Sequence, residues 1–212
     1  MILIKRILSK IWQCGCMAND KLFYHGADFG RWKEVDELGI DESHGNPYQT
    51  STPGNLKRAL RDMKITDKDS VLDIGCGKGR TMYILSKFPF RKIDGYDISE
   101  ELVRTANENF NLLNVDDRCR AVTDDAETFD GYDDYDYLYL FNSVPREVFK
   151  SLIHNIQLSL KRRPRKVVLM YMHPEHEQYL LENSDFVPAG RYRSPMTLFV
   201  DWFDLAVYTN GK

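Results

Sequence analysis

The ten residues VLDIGCGKGR, Val71 to Arg80, restrict what this chain can fold into more than any other stretch. A short apolar run ends in Asp73 and Ile74. Glycines follow at 75, 77 and 79, and a helical pattern begins at Thr81. A strand that dissolves into glycines and restarts as a helix is the βα turn of a parallel α/β sheet. Glycine lets the backbone pass close to a ligand and turn tightly, and the helix start offers free N–H groups. A dinucleotide site spaces its glycines G-x-G-x-x-G, which would put the third at position 80. Arg80 stands there, and Gly79 comes one residue early. With Asp73 ahead of the loop, the pattern suits a ligand carrying both a carboxylate and an ammonium group.

The rest of the chain repeats the alternation. Leu56, Leu60 and Met63 mark a helix, and strands are predicted at Ser70–Ile74, Lys92–Tyr96, Arg120–Val122, Tyr135–Phe141 and Lys166–Met172. Helices are predicted between them: from Thr81, from an N-cap at Ser99 to about Leu113, from Pro145 to about Leu160, and around Glu175–Leu181. Two strands, Phe186–Arg193 and Leu198–Tyr208, close the chain around a turn at Ser194 and Pro195. The implied fold is α/β and doubly wound, a mostly parallel sheet with a C-terminal antiparallel hairpin. Residues 1–53 read as an N-terminal helical and loop cap, and 54–212 as the main domain. The first twelve residues form a basic amphipathic pattern, read as a helix docked on the domain or, alternatively, lying on a membrane surface. They are too short and interrupted to span a bilayer.

Two more carboxylates fall where strands end. Asp97 lies 22 positions after Gly75, at the expected exposed tip of the second strand, where it can accept from two ribose hydroxyls. Asp124-Asp125-Ala126 follows the third strand, placing a carboxylate and a backbone N–H beside an adenine. Glycine loop, ribose acid and adenine-side pair, in this order, resemble the class I, seven-stranded S-adenosylmethionine-dependent methyltransferases. The resemblance runs from about residue 50 to the end, with VLDIGCGKGR as the first motif and LAVYTN as the final strand. It implies S-adenosyl-L-methionine as cofactor, held by Asp73, Gly75, Cys76, Gly77, Gly79, Asp97, Ile98, Asp125 and Ala126.

A narrower resemblance rests on NPYQTSTPGNLKRAL, LFNSVP and YMHPEH. This layout is similar to small bacterial methyltransferases and, loosely, to seven-strand protein lysine methyltransferases. In those, the segment before the first motif folds over the cofactor, which implies Tyr48, Thr50 and Thr52 beside it. The fourth motif reads Asn142-Ser143-Val144-Pro145, without the Asn-Pro-Pro-aromatic run of nucleic-acid amino methyltransferases. Asn142, at a strand tip, is the main candidate for orienting the nucleophile, with a helix cap as its alternative role. Tyr48 and His173 are further catalytic candidates.

The expected activity is methyl transfer to a nitrogen or oxygen of a small molecule or protein side chain. A silent cofactor-binding module and a nucleotide-dependent oxidoreductase are the competing readings. A net charge of −3 gives no overall basic field for nucleic acid, so none is expected as partner. The run Lys161 to Lys166 reads as a solvated turn opposite the cofactor. The acidic stretch Asp124–Asp136 reads as partly cofactor site and partly solvated loop, with a possible pull on cationic substrates. Four cysteines without metal or redox spacing read as reduced thiols of a cytoplasmic protein, and His173-Pro174-Glu175-His176 reads as a loop with no metal.

Overall fold

A computed structural model describes residues 20–30, 32–41, 43–50, 53–193 and 204–211. The N-terminal helix, Thr52, Cys14, Cys16 and the turn at Ser194 and Pro195 lie outside the described residues. The described strands are β1 (Ser70–Ile74), β2 (Lys92–Asp97), β3 (Cys119–Thr123), β4 (Tyr137–Phe141), β5 (Val168–Met172), β6 (Val187–Tyr192) and β7 (Leu205–Thr209). They form one seven-stranded sheet in the order β3-β2-β1-β4-β5-β7-β6. The first five run parallel to one another, and β7 runs antiparallel to both β5 and β6. The doubly wound sheet with its closing hairpin is the fold expected from the alternation of patterns.

Among the described residues, helix α1 (Pro53–Asp62) precedes the sheet, and α2 (Arg80–Leu85), α3 (Glu100–Leu112), α4 (Arg146–Arg162) and α5 (Glu177–Asn183) connect its strands. Leu56 and Leu60 of α1, Met82 and Leu85 of α2 and Ala106 and Phe110 of α3 share one buried cluster with Val71 and Ile93 of the sheet. On the opposite face, Phe149, Leu152 and Ile156 of α4 and Leu180 of α5 pack against Ile74, Leu140 and Leu169. Each large apolar side chain buried this way contributes about 1.5–3 kcal/mol. The alternate residues of one strand thus serve two cores, which is why the central strands are apolar throughout.

Local chemistry sets the ends of the elements. The Ser99 side chain accepts from the Leu102 N–H and caps α3, with Glu100 and Glu101 against its positive end. Pro145 is the N-cap of α4 rather than its first helical residue. Helix α5 starts two residues later than the periodicity predicts. His173 takes a left-handed backbone (φ 53) and Pro174 accepts from the Glu177 N–H, so residues 173–176 form a turn. Strand β4 starts at Tyr137, because residues 131–134 form a 3-10 turn.

The basic and acidic stretches meet at that turn. Arg162 binds the Asp133 carboxylate and the Asp130 carbonyl, and Arg165 donates to the carbonyls of Tyr132 and Tyr135. The basic run is the solvated turn expected, and its arginines also brace the acidic loop. Asp136 accepts from the Ser70 N–H. Residues 130–136 are thus occupied at the far edge of the sheet, and only Asp124 and Asp125 of the acidic stretch border the cleft described next.

Candidate active site

A cleft of about 320 Å³ opens at the C-terminal ends of β1 to β5. Ligands in open parallel sheets bind at this edge, at the point where the strand order reverses, here between β1 and β4. Its floor is the glycine loop. Gly75 has φ 68, and a Cβ there would lie 2.2 Å from the Ser143 Oγ. Gly77 has φ 53, and a Cβ there would lie 2.3 Å from a ring carbon of Tyr48. Both positions exclude any side chain through backbone strain and through space. Gly79, in the left-handed region, leads into α2 against Phe110. Gly75 and Cys76 border the cleft; Gly77 lies beneath the Tyr48 ring and Gly79 behind the loop.

Asp97 departs from its expected exposed position. It is 8% exposed, and its two carboxylate oxygens accept from the N–H groups of Gly77 and Ser99. Asp97 therefore holds the loop's shape and faces the cleft as well. Burial raises its pKa despite these bonds. Asp73 lies beside it, fully buried, and its Oδ2 has no hydrogen-bond partner among the described residues. Burial, reinforced by the neighbouring Asp97 charge, pushes the Asp73 carboxyl well above the usual carboxylate range. On the next strand end, Asp125 Oδ1 accepts from the Glu127 N–H and shapes the turn that carries the buried Ala126. Ile98, Asp124, Asp125 and Ala126 all border the cleft.

The segment 20–50 covers the loop. Asp28 exchanges bonds with Asn109: its N–H donates to Oδ1 and its carbonyl accepts from Nδ2, which also reaches the Lys78 carbonyl. Lys78, 2% exposed, places its ammonium 2.7 Å from the Asp28 carboxylate. Arg80 donates to Thr50 and lies over the Tyr24 ring. The Tyr48 hydroxyl donates to the Phe29 carbonyl, and burial pushes its pKa up. That hydroxyl is committed to the backbone; what Tyr48 presents to the cleft is its ring. Tyr48 and Thr50 border the cleft.

A second group of residues stands at the tips of β4 and β5. Asn142 has φ 34, His173 has φ 53, and left-handed backbone in a non-glycine residue costs about 1–3 kcal/mol. The expense brings three side chains together. Asn142 Nδ2 donates to Glu175 Oε2 at 2.8 Å, and His173 Nε2 lies 3.1 Å from Glu175 Oε1. The buried Tyr171 donates its hydroxyl to Asn142 Oδ1 at 3.3 Å. Asn142 does not cap α4, so its alternative role falls away. Asn46 ties the cover to this tip through the Asn142 carbonyl. Glu175 is the residue that sequence reasoning missed. Its signal lay in the HPEH run, where it was read only for metal.

Fold and site together are similar to those of class I, Rossmann-like, S-adenosylmethionine-dependent methyltransferase domains. Residues 71–163 match the family described as methyltransferase domain. The ribosomal protein L11 methyltransferase of Acetivibrio thermocellus is 33% identical over 104 residues, 45% of this chain and 33% of that protein. The protein-L-isoaspartate O-methyltransferase of Helicobacter pylori is 24% identical over 147 residues, 65% of this chain and 69% of that protein. The chain thus spans about a third of the length of the first of these relatives. An RNA methyltransferase from Salinibacter ruber, solved with S-adenosyl-L-homocysteine, shares the fold. Its TM-score is 0.52 at 17% identity, covering 76% of this chain and 92% of that one.

Proposed function

We propose that this protein transfers a methyl group from S-adenosylmethionine to a nitrogen or oxygen nucleophile of a small molecule or protein side chain. One observation carries the reading: the cleft has two separate sets of polar groups, one on β1–β3 and the other on β4–β5. A module that only bound the cofactor would need the first set alone.

The residues of the first set fit the cofactor. Asp97 has lone pairs left for ribose hydroxyls beyond its two backbone bonds. Asp125 and Ala126 suit an adenine. Asp73 and Arg80, of opposite charge and both on the cleft wall, suit a zwitterionic amino-acid end. When bound, the cofactor supplies a methyl group activated by a sulfonium. The protein supplies position: the cover formed by residues 20–50 holds ligands against the sheet, and Asn142 lies at the strand tip next to β1. Ribosomal protein and isoaspartate relatives support a protein acceptor, and the neighbouring RNA enzyme keeps nucleic acid within the experiment. Buried free Cys76 and Cys119 agree with a cytoplasmic setting. No helix among the described residues is long and apolar enough to cross a membrane.

The test has two arms. S-adenosylhomocysteine should raise the melting temperature, because a ligand that binds only the native state stabilises it by mass action, and NAD and NADP should not. Labelled S-adenosylmethionine added to a lysate should then mark an acceptor. Stabilisation by NAD alone overturns the cofactor, and binding without transfer to any lysate component overturns the catalytic reading.

A further inference from the structure

We infer that the acceptor end of the cleft recognises a protonated amine through Glu175. The inference rests on the methyltransferase reading above and adds to it the chemical class of the acceptor.

The cleft is lined by five carboxyl groups, Asp124, Asp125, Glu175 and the two raised by burial, Asp73 and Asp97, against a single guanidinium, Arg80. Arg80 is engaged by Thr50 and stacked on Tyr24. A low-dielectric cleft lined by one sign of charge concentrates ions of the other sign. Four of the five stand at or just beyond the C-terminal ends of β1, β2 and β3. Glu175 stands apart, beyond β5, and has no lysine or arginine partner among the described residues. Its two neighbours are the Asn142 amide and the His173 imidazole, which hold its two oxygens in place. Its side chain remains 53% exposed, so an incoming group reaches it. Trp32 and Phe141 border the same cleft and offer aromatic faces, which favour a cation over an anion. An acceptor carrying a carboxylate or phosphate meets like charge here, and the discrimination is built by that repulsion as much as by attraction. An alkylammonium donates charge-assisted hydrogen bonds to Glu175 and leaves Asn142 and His173 in place as its supports.

The experiment uses the full chain loaded with S-adenosylhomocysteine and reads binding by saturation-transfer NMR and calorimetry. The probes are n-butylammonium, its neutral counterpart 1-butanol, and a short blocked peptide with one lysine. Butylammonium should bind at least about tenfold more tightly than butanol. Glu175→Gln should abolish that preference while S-adenosylhomocysteine affinity stays unchanged. Tighter binding of the peptide than of butylammonium identifies a protein lysine as the source of the amine; the reverse identifies a small amine. Equal binding of butylammonium and butanol, or an undiminished preference in E175Q, overturns the inference. If S-adenosylhomocysteine does not bind, the methyltransferase reading fails, and the same comparison on the unloaded protein still decides whether Glu175 selects a cation.

Discussion

The ring of Tyr48 lies directly over Gly77, so close that a Cβ on the glycine would sit 2.3 Å from the ring. The cover and the cofactor loop are therefore one packed unit, each shaped to the other. Gly77→Ala should combine a strained left-handed alanine with this clash and cost about 1–3 kcal/mol. Thermal unfolding with and without S-adenosylhomocysteine should show lower stability and weaker binding together. A mutant as stable and as tight-binding as the parent would show that the ring lifts freely away from the loop.

Asp97→Asn tests a carboxylate with two tasks. One amide nitrogen must now face a backbone N–H, either of Gly77 or of Ser99. Stability should fall, and S-adenosylhomocysteine affinity should fall further, by roughly 1.5–3 kcal/mol for each bond lost to the ribose. Calorimetry on folded mutant protein checks this; undiminished affinity removes Asp97 from the cofactor site.

The raised pKa values of Asp73 and Asp97 give a signed pH dependence. An acid whose folded value exceeds its unfolded value binds protons more strongly in the native state. Its contribution to stability is complete below the unfolded value, about 3.9, and declines as pH rises through the folded value. The ligand-free protein should lose stability over that rise, and Asp73→Asn should flatten the profile. Binding of cationic S-adenosylmethionine favours the ionised carboxylates, so protons should be released. Calorimetry in buffers of differing ionisation enthalpy measures the release, and a binding enthalpy independent of buffer contradicts it.

Asn142 allows the side chain to be separated from the backbone. Asn142→Gly keeps the left-handed turn without strain while removing the contacts to Glu175 and Tyr171. Asn142→Ala adds a backbone cost of about 1–2 kcal/mol. Both should depress acceptor turnover strongly with S-adenosylhomocysteine affinity near that of the parent. Full specific activity in the glycine variant would limit Asn142 to a structural part.

The Lys78–Asp28 pair anchors the cover. Asp28→Asn leaves a buried ammonium without its counter-charge and should lower stability by about 1–3 kcal/mol, less than for a fully buried pair because Asp28 is half exposed. Residues 20–50 should become the first site of limited proteolysis. Unchanged cleavage would mean that Asn109, Thr50 and Tyr48 hold the cover on their own.

What the sequence disclosed follows from how local each signal is. The glycine loop, Asp97 and Asp125-Ala126 each sit where an apolar run stops, so position along the chain reveals position at the sheet edge. The burial of Asp97 was not legible, because it depends on amides from the loop and from the start of α3. Glu175 gained its place only through left-handed turns at Asn142 and His173, which join segments 33 residues apart. The cover showed no periodicity because it is fastened by side-chain to backbone bonds, such as Asn109 to Asp28 and Tyr48 to Phe29, rather than by an amphipathic face. The acidic loop looked free because its arginines lie about thirty positions downstream.

The reversal of strand order between β1 and β4 has an evolutionary reading. In the proposed reading, Asp73, Asp97 and Asp125 hang from three strands on one side of the reversal, and Asn142, His173 and Glu175 from two on the other. On that reading, mutation at residues 142 and 173–176 explores new acceptors, whereas Ser143, packed against Gly75 and bonded to the Ile74 carbonyl, belongs with the donor half. Grafting these two tips from a relative into this chain is the smallest exchange that could retarget it.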